Sequence, residues 1–282
     1  LSVLLITHKF SQVLNFCDDV TVLRRGRQTG SGRVKDLTAD QMAAMMMGGQ
    51  REPKIVPKAA TAPGPVSLAL RGLCANRDNG VPALVGVDLE VRAGEVVGIA
   101  GISGNGQREL VEVIAGQREA TGGEIRVQGE VYKSTRAEAC RHQVFLLPEE
   151  PLRNACVPHM GVAENLALRT FDQPPLARAG FFVSQARIRA KGRELIARYG
   201  IKTRSPDTPI GDLSGGNVQR AVLARELGSG TARVLVAANP CFGLDFAAVE
   251  TIHGQITEAR NRGVGVLLVS EDLDELLALA DR

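Results

Sequence analysis

The 282-residue sequence has no apolar run approaching the roughly 20 residues that a bilayer-spanning helix needs. No signal-peptide pattern is read in it either. Any work at a membrane is therefore expected to go through docking to something else. A CxxC pair is also missing. The five cysteines (Cys17, Cys74, Cys140, Cys156 and Cys241) are scattered and odd in number. That suits a reducing compartment with thiols buried as small apolar groups, and it predicts no metal site of the chain's own. A strong charge of one sign is absent too. The net charge is +3, and the basic residues read as spread along the chain, which argues against a nucleic-acid partner.

What is present is an ordinary globular composition, 44% hydrophobic and 23% charged. The length allows one large domain, or one domain plus part of another. The sequence also repeats itself. Residues 3–8, "VLLITH", resemble residues 266–271, "VLLVSE", and "KFSQVLNFCDD" (9–19) then lies over "DLDELLALADR" (272–282). Both copies read as a buried strand, a short polar turn and a helix. The first copy continues through "VTVLRRGRQTGSG" and a helix to about Met47. Leu1 opens directly on the strand-like run, so the expectation is a fragment cut at both ends: the close of one unit, then most of a second.

Residues 48–66, "GGQREPKIVPKAATAPGPV", have no periodicity and read as a semi-extended linker. From Ser67 the alternating "SLALRGL" suggests strands at a sheet edge. "VVGIA" (96–100) is apolar enough for a buried parallel strand. "ARVLVAANP" (232–240) and "GVGVLLVSE" (263–271) read as two more buried strands, and 184–200 as a mostly polar helix.

Between the first of these strands and a helix lies "GISGNGQREL", residues 101–110. The helix has Leu110, Val111, Val113 and Ile114 on one stripe and Gly116 at its end. A strand, a glycine loop and a helix N-terminus make an anion site, because backbone N–H groups and the helix dipole point at phosphate. Gly101, Gly104 and Gly106, with Ser103 and Asn105 between them, satisfy that geometry. A working phosphate loop would continue with a lysine for the β/γ-phosphates and a hydroxyl for Mg²⁺. Gln107 and Arg108 stand there instead. Gln107 carries no charge, and Arg108 cannot ligate a metal. Alone, the loop is equally readable as a tight strand-to-helix turn.

The stretch "LSGGNVQR" (213–220) decides between these readings. It resembles the signature motif of ATP-binding cassette (ABC) ATPases, commonly LSGGQ-x-QR. Asn217 replaces the first glutamine, as is frequent in the importer branch for simple sugars and nucleosides. Ser214 offers a hydroxyl, Gly215 and Gly216 leave N–H groups uncovered, and the helix that begins there adds its positive end. Together with Asn217 and Gln219 they form the γ-phosphate grip of the motif. The resemblance implies an α/β fold: a P-loop NTPase cassette with a mixed or parallel sheet core, an antiparallel edge sheet and a helical subdomain. It divides the chain into the end of a first cassette (1–48), a linker (49–66) and a truncated second cassette (67–282), whose helical subdomain spans about 150–211.

Carried over position by position, the resemblance also shows departures. The acidic motif should end in Asp-Glu; here it ends in Ala238 and Asn239. The switch histidine is replaced by Glu271, whose carboxylate repels phosphate. The Q-loop glutamine is Glu149. "NRDNGVP" (76–82), where an aromatic should stack on adenine, contains none. The D-loop "GLD" keeps Asp245. In the first unit, "LLITHKF" places His8 on the switch position.

The resemblance therefore implies two fused cassettes, the second degenerate for hydrolysis, powering an importer of nucleosides or simple sugars. Cassettes of this family pair head to tail, so His8 and Ser214 are expected at one ATP. Mg²⁺ would be held mainly by residues preceding Leu1. The implied partners are transmembrane permease subunits, an extracytoplasmic solute-binding protein reached through the complex, and the sister cassette. The implied location is the cytoplasmic face of the plasma membrane, as a peripheral subunit. The alternative is a regulatory, non-hydrolytic cassette acting only in dimerisation and nucleotide binding. A translation factor with tandem cassettes would need intact motifs and a long charged linker. A chromosome ATPase would need sustained heptads between 106 and 213. All three features are missing. Phe181 and Phe182, side by side in the helical region, are expected to pack into the core, the alternative being a contact with membrane subunits.

Overall fold

The computed structural model describes residues 2–7, 10–24, 26–47, 56–60 and 62–282. They form two compact units, Leu1–Val56 with Gly243–Gly254, and Pro57–Phe242 with Gln255–Arg282.

In the first unit, α1 (Phe10–Phe16) precedes a hairpin of β1 (Asp19–Arg24) and β2 (Arg27–Arg33), and α2 (Ala39–Met47) follows. Gly26, at φ +75°, makes the tight turn between the strands. Val13, Val34 and Met42 form a small core with Phe10 and Val20 against it. The ring of Phe10 meets that of Phe246 edge-on, with centroids 5.0 Å apart. The opening run departs from expectation. Residues 2–7 form no strand, and Val3, Leu4 and Ile6 are 82%, 88% and 90% exposed. A parallel strand needs a neighbour for its N–H and C=O groups, and among the described residues of this unit none stands beside it.

The second unit opens with β3 (Val66–Asn76), β4 (Pro82–Arg92) and β5 (Val96–Ala100). Then come α3 (Gln107–Ala115), β6 (Gly122–Val127), β7 (Glu130–Val131), α4 (Arg136–His142) and β8 (Val144–Leu147). The helical region holds α5 (Pro151–Asn154), α6 (Val162–Ala167), a short ribbon of β9 (Ala177–Arg178) and β10 (Phe182–Val183), and α7 (Gln185–Tyr199). It leads into α8 (Gly215–Leu227), followed by β11 (Val234–Ala238), α9 (Phe246–Asn261), β12 (Gly265–Ser270) and α10 (Leu273–Leu279). The first part of α9, up to Gly254, belongs to the other unit.

Two four-stranded sheets organise this unit. One is parallel, in the order β5-β12-β11-β8; the other is antiparallel, in the order β4-β3-β6-β7. The "SLALRGL" strand is thus interior, with β4 on one side and β6 on the other, rather than at an edge. Its near-continuous burial fits that place: Leu68, Leu70 and Leu73 are fully buried. The strands of the parallel sheet are short Val/Leu runs buried on both faces, with every residue of β11 and β12 inside. One contiguous core joins both sheets to α3 through Leu110, Val111, Val113 and Ile114. Those are the residues of the predicted stripe, and Gly116 ends the helix in the left-handed region.

The helical region has its own small core of Ala163, Ala167, Leu176 and Ile188. There α6 crosses α7 at Gly192, where a Cβ would collide with Ala163. Residues 57–59, which carry no helix or strand, are tied to this second unit. Pro57 and Ala59 hydrogen-bond Asn261, and Lys58 donates to the carbonyl of Ala280.

Candidate functional site

The parallel sheet positions the site. β5 ends at Ala100, the chain turns through Gly101–Gly106, and α3 begins at Gln107. Gly104 and Gly106 sit at φ +91° and +98°, which glycine adopts without a Cβ penalty. At Gly106 a Cβ would lie 2.7 Å from the Ala83 carbonyl oxygen, so this position needs glycine for space as well as for angle.

Side chains of the chain itself occupy the loop. The Gln107 carboxamide folds back over it, accepting from the Asn105 N–H at 3.0 Å and donating to the Ile102 carbonyl at 3.1 Å. The Ser103 hydroxyl donates to the Glu271 carboxylate. Asn239, at the end of β11, accepts from the Glu271 N–H at 2.9 Å through its own side chain and holds that residue beside the loop. Arg108 turns away along α3 and pairs with Glu112 at 2.6 Å. That carboxylate raises the guanidinium pKa above its ordinary value. Arg77 donates to the Gly104 carbonyl from the segment where an aromatic was missing. The structure thus brings Asn239 and Glu271, distant in sequence, to the loop that holds Ser103, Asn105 and Gln107. Ala238 closes β11 as a buried methyl. At the positions where the family motif would hold Mg²⁺ stand Ala238 and Arg108, neither of which offers an oxygen; the carboxylate present, Glu271, accepts from the Ser103 hydroxyl instead.

The signature stretch is arranged differently. Ser214 is the N-cap residue of α8, and Ser214 and Gly215 are exposed. Asn217 donates to the Ser214 hydroxyl at 2.9 Å and accepts from the Lys202 N–H at 2.8 Å, which fixes the serine oxygen over the helix end. Gly216 follows with partial exposure. Gln219, one turn further in, is buried and donates to the Pro240 carbonyl at 2.8 Å. The head of α8 is thereby fastened to the strand end that carries Ala238 and Asn239.

A second fastening was not legible from the motifs. Glu226, also on α8, is almost fully buried between Arg169 (2.6 Å) and Arg225 (2.7 Å). Arg225 donates to the Ala155 carbonyl at 2.6 Å. Arg169 donates to the Val144 carbonyl and lies 4.2 Å over the Phe145 ring. The signature helix, β8 and the segment after Glu149 are locked together by this triad. The signal in the sequence was an acid inside the apolar run "AVLAREL". The three residues line a cavity of about 410 Å³ between α4, β8 and α8. Cys156 lines it too, and burial pushes its thiol up to about 11. Glu149 itself is exposed.

Asp245 belongs to the other unit. It caps α9, accepting from the Ala248 N–H at 2.8 Å. His8 lies outside the described residues. Phe181 and Phe182 overturn the core-packing expectation. The β9–β10 ribbon lifts them clear of the small core beneath, and they are 86% and 75% exposed. Basic residues, expected to be spread, gather in one stretch: Ala177–Arg193 has five of them and no acid.

A parallel Val/Leu sheet, a glycine loop on a buried strand and an antiparallel flanking sheet define an α/β P-loop NTPase fold. The chain belongs to the ABC transporter family, whose model matches residues 84–240. It is similar over its whole length to the nucleoside import ATP-binding protein NupA of Lactococcus lactis subsp. cremoris (strain MG1363), at 36% identity, and covers 55% of that protein. It is 39% identical to the glucose import ATP-binding protein TsgD13 of Haloferax volcanii and covers 51% of it. The chain thus spans about half the length of these relatives. Among solved structures, a nucleotide-free ATP-binding cassette from an ABC transporter superposes with a TM-score of 0.63. That match has 21% identity and covers 77% of this chain and 85% of the other. CbiO1 from Clostridium perfringens, part of the complex CbiONQ, superposes with a TM-score of 0.59 at 21% identity, covering 77% and 83%. These two likenesses concern the fold alone.

Proposed function

We propose that the chain is part of an ATP-binding subunit that drives import of nucleosides or simple sugars, and that its larger unit is a cassette degenerate for hydrolysis. The observation that carries this reading is the contrast between its two helix-end sites. The phosphate loop is filled by Gln107 and flanked by Glu271, whereas Ser214 and Gly215 stand open at the head of α8. A loop that spends its own N–H on a carboxamide and sets a carboxylate beside the phosphate position opposes a triphosphate. An open signature grips the γ-phosphate of an ATP held by a sister cassette. In this assignment the domains are the end of a first cassette (1–48), a linker (49–66) and the second cassette (67–282).

The first cassette supplies lysine, Mg²⁺ ligands, the water-polarising glutamate and His8; the second supplies Ser214, Gly215, Gly216 and Asp245. ATP and Mg²⁺ then belong mainly to the shared site. Opening and closing of the pair moves permease subunits at the cytoplasmic face of the membrane. Those subunits receive solute from an extracytoplasmic binding protein. Among the described residues no helix is long and apolar enough to cross a membrane. The test is phosphate release from Mg-ATP by the purified chain. Background rates are expected, and clear turnover sinks the degenerate assignment.

A further inference from the structure

The stretch ARAGFFVSQARIRAKGR, Ala177–Arg193, combines two features that the phosphate chemistry does not use. The first is an apolar projection. β9 and β10 pair antiparallel, with Phe182 opposite Arg178, and the turn between them runs through Ala179 and Gly180 at φ +54° and +73°. Phe181 and Phe182 stand at this tip, 86% and 75% exposed, with Val183 at 40%. They project from the tip of the ribbon. The second feature is charge. α7 buries Ile188, Gly192, Leu195 and Tyr199, which leaves Arg187, Arg189, Lys191 and Arg193 on its open faces. Arg189 is spent on Asp207 and Lys191 on Glu194. Arg187 donates to the Pro175 carbonyl at 2.7 Å. The guanidinium groups of Arg178 and Arg193 make no hydrogen bond or ion pair among the described residues.

We propose that the β9–β10 ribbon and the first turns of α7 form a patch that seats on an anionic phospholipid surface. Two adjacent phenylalanines enter the headgroup–acyl boundary, and arginines around them meet lipid phosphates while their stems lie along the apolar layer. A lipid surface is a flat array of negative charge over an apolar layer. It answers both features at once, whereas a nucleic acid answers the cations and leaves two solvent-facing rings to be stacked individually. The proposal does not depend on which solute is carried or on which ATP site turns over.

The experiment is sedimentation of the purified chain with vesicles of phosphatidylcholine alone and of phosphatidylcholine mixed with phosphatidylglycerol. Binding to the mixed vesicles only is expected, weakening as salt is raised. Phe181→Ser with Phe182→Ser should lower the bound fraction about tenfold, and Arg178→Gln with Arg193→Gln should lower it by a smaller factor. Both pairs are exposed, and an unchanged melting curve shows that the variants fold. Failure to sediment with anionic vesicles overturns the proposal, as does equal binding by the double-serine variant. So does displacement from the vesicles by a single-stranded oligonucleotide, which would assign the patch to nucleic acid. Loss of permease capture with vesicle binding intact would assign the phenylalanines to a protein contact and also overturn it.

Discussion

Two helix N-termini lie in the same unit and follow opposite designs. At α3 the loop has positive-φ glycines and close backbone approach, yet Gln107 takes its N–H and Glu271 takes its serine hydroxyl. At α8 the cap serine is exposed, and the neighbouring Asn217 orients its oxygen without covering it. On the degenerate assignment proposed above, glycine geometry alone does not make an anion site. What decides is whether the orphan N–H groups are left for a ligand or satisfied within the chain. Four predictions press on this contrast.

The largest effect is expected at the open end. In the full-length protein, Ser214→Arg puts a bulky cation where the γ-phosphate grip should close, and ATPase activity coupled to transport should fall by roughly 10²–10³-fold. Normal rates would show that this signature serves no ATP. The next concerns what holds α8 in place. Arg225→Met leaves buried Glu226 with Arg169 alone and frees the Ala155 carbonyl. A loss of roughly 2–4 kcal/mol is expected, read as a fall in melting temperature of about 5–10 °C. No change would remove the triad from the account.

The filled end should respond to being emptied. Gln107→Lys with Glu271→His removes both occupants and supplies positive charge. Nucleotide affinity of the purified chain, by fluorescence titration, should rise about tenfold or more. Unchanged affinity would mean that Gln107 and Glu271 do not block the loop. The smallest effect is chemical. Burial raises the Cys156 thiol to about 11, so its thiolate is scarce at neutral pH. Alkylation by iodoacetamide should be slow at pH 7 and accelerate toward pH 11, because a raised pKa lowers the reactive fraction below it. Fast labelling at pH 7 in the folded chain would contradict the burial.

The glycine loop, α3 and its stripe, and the strands β5, β11 and β12 were legible because each has a local cause. Apolar periodicity and glycine punctuation act within a few residues. The interior place of β3 was not legible, since strand alternation records which face is buried and not which neighbours pair. The exposure of Val3, Leu4 and Ile6 was likewise hidden: an apolar run states a preference, and only a neighbouring strand satisfies it. The phenylalanine pair misled for the same reason, since hydrophobicity favours burial on average and the β9–β10 ribbon carries these two outward.

By itself, then, the sequence determined the chemistry available at each motif: no lysine at 107, no acid at 238, no histidine at 271, and an intact serine and two glycines from 214 to 216. These are properties of side-chain identity and need no coordinates. Only the tertiary structure decided how those atoms are used. Packing β5, β11 and β12 side by side brings Ser103, Asn239 and Glu271 together, residues that chain order keeps apart. It also sets Glu226 between two arginines inside α8's buried face. Such contacts depend on strand order and helix packing, long-range choices that local pattern does not encode.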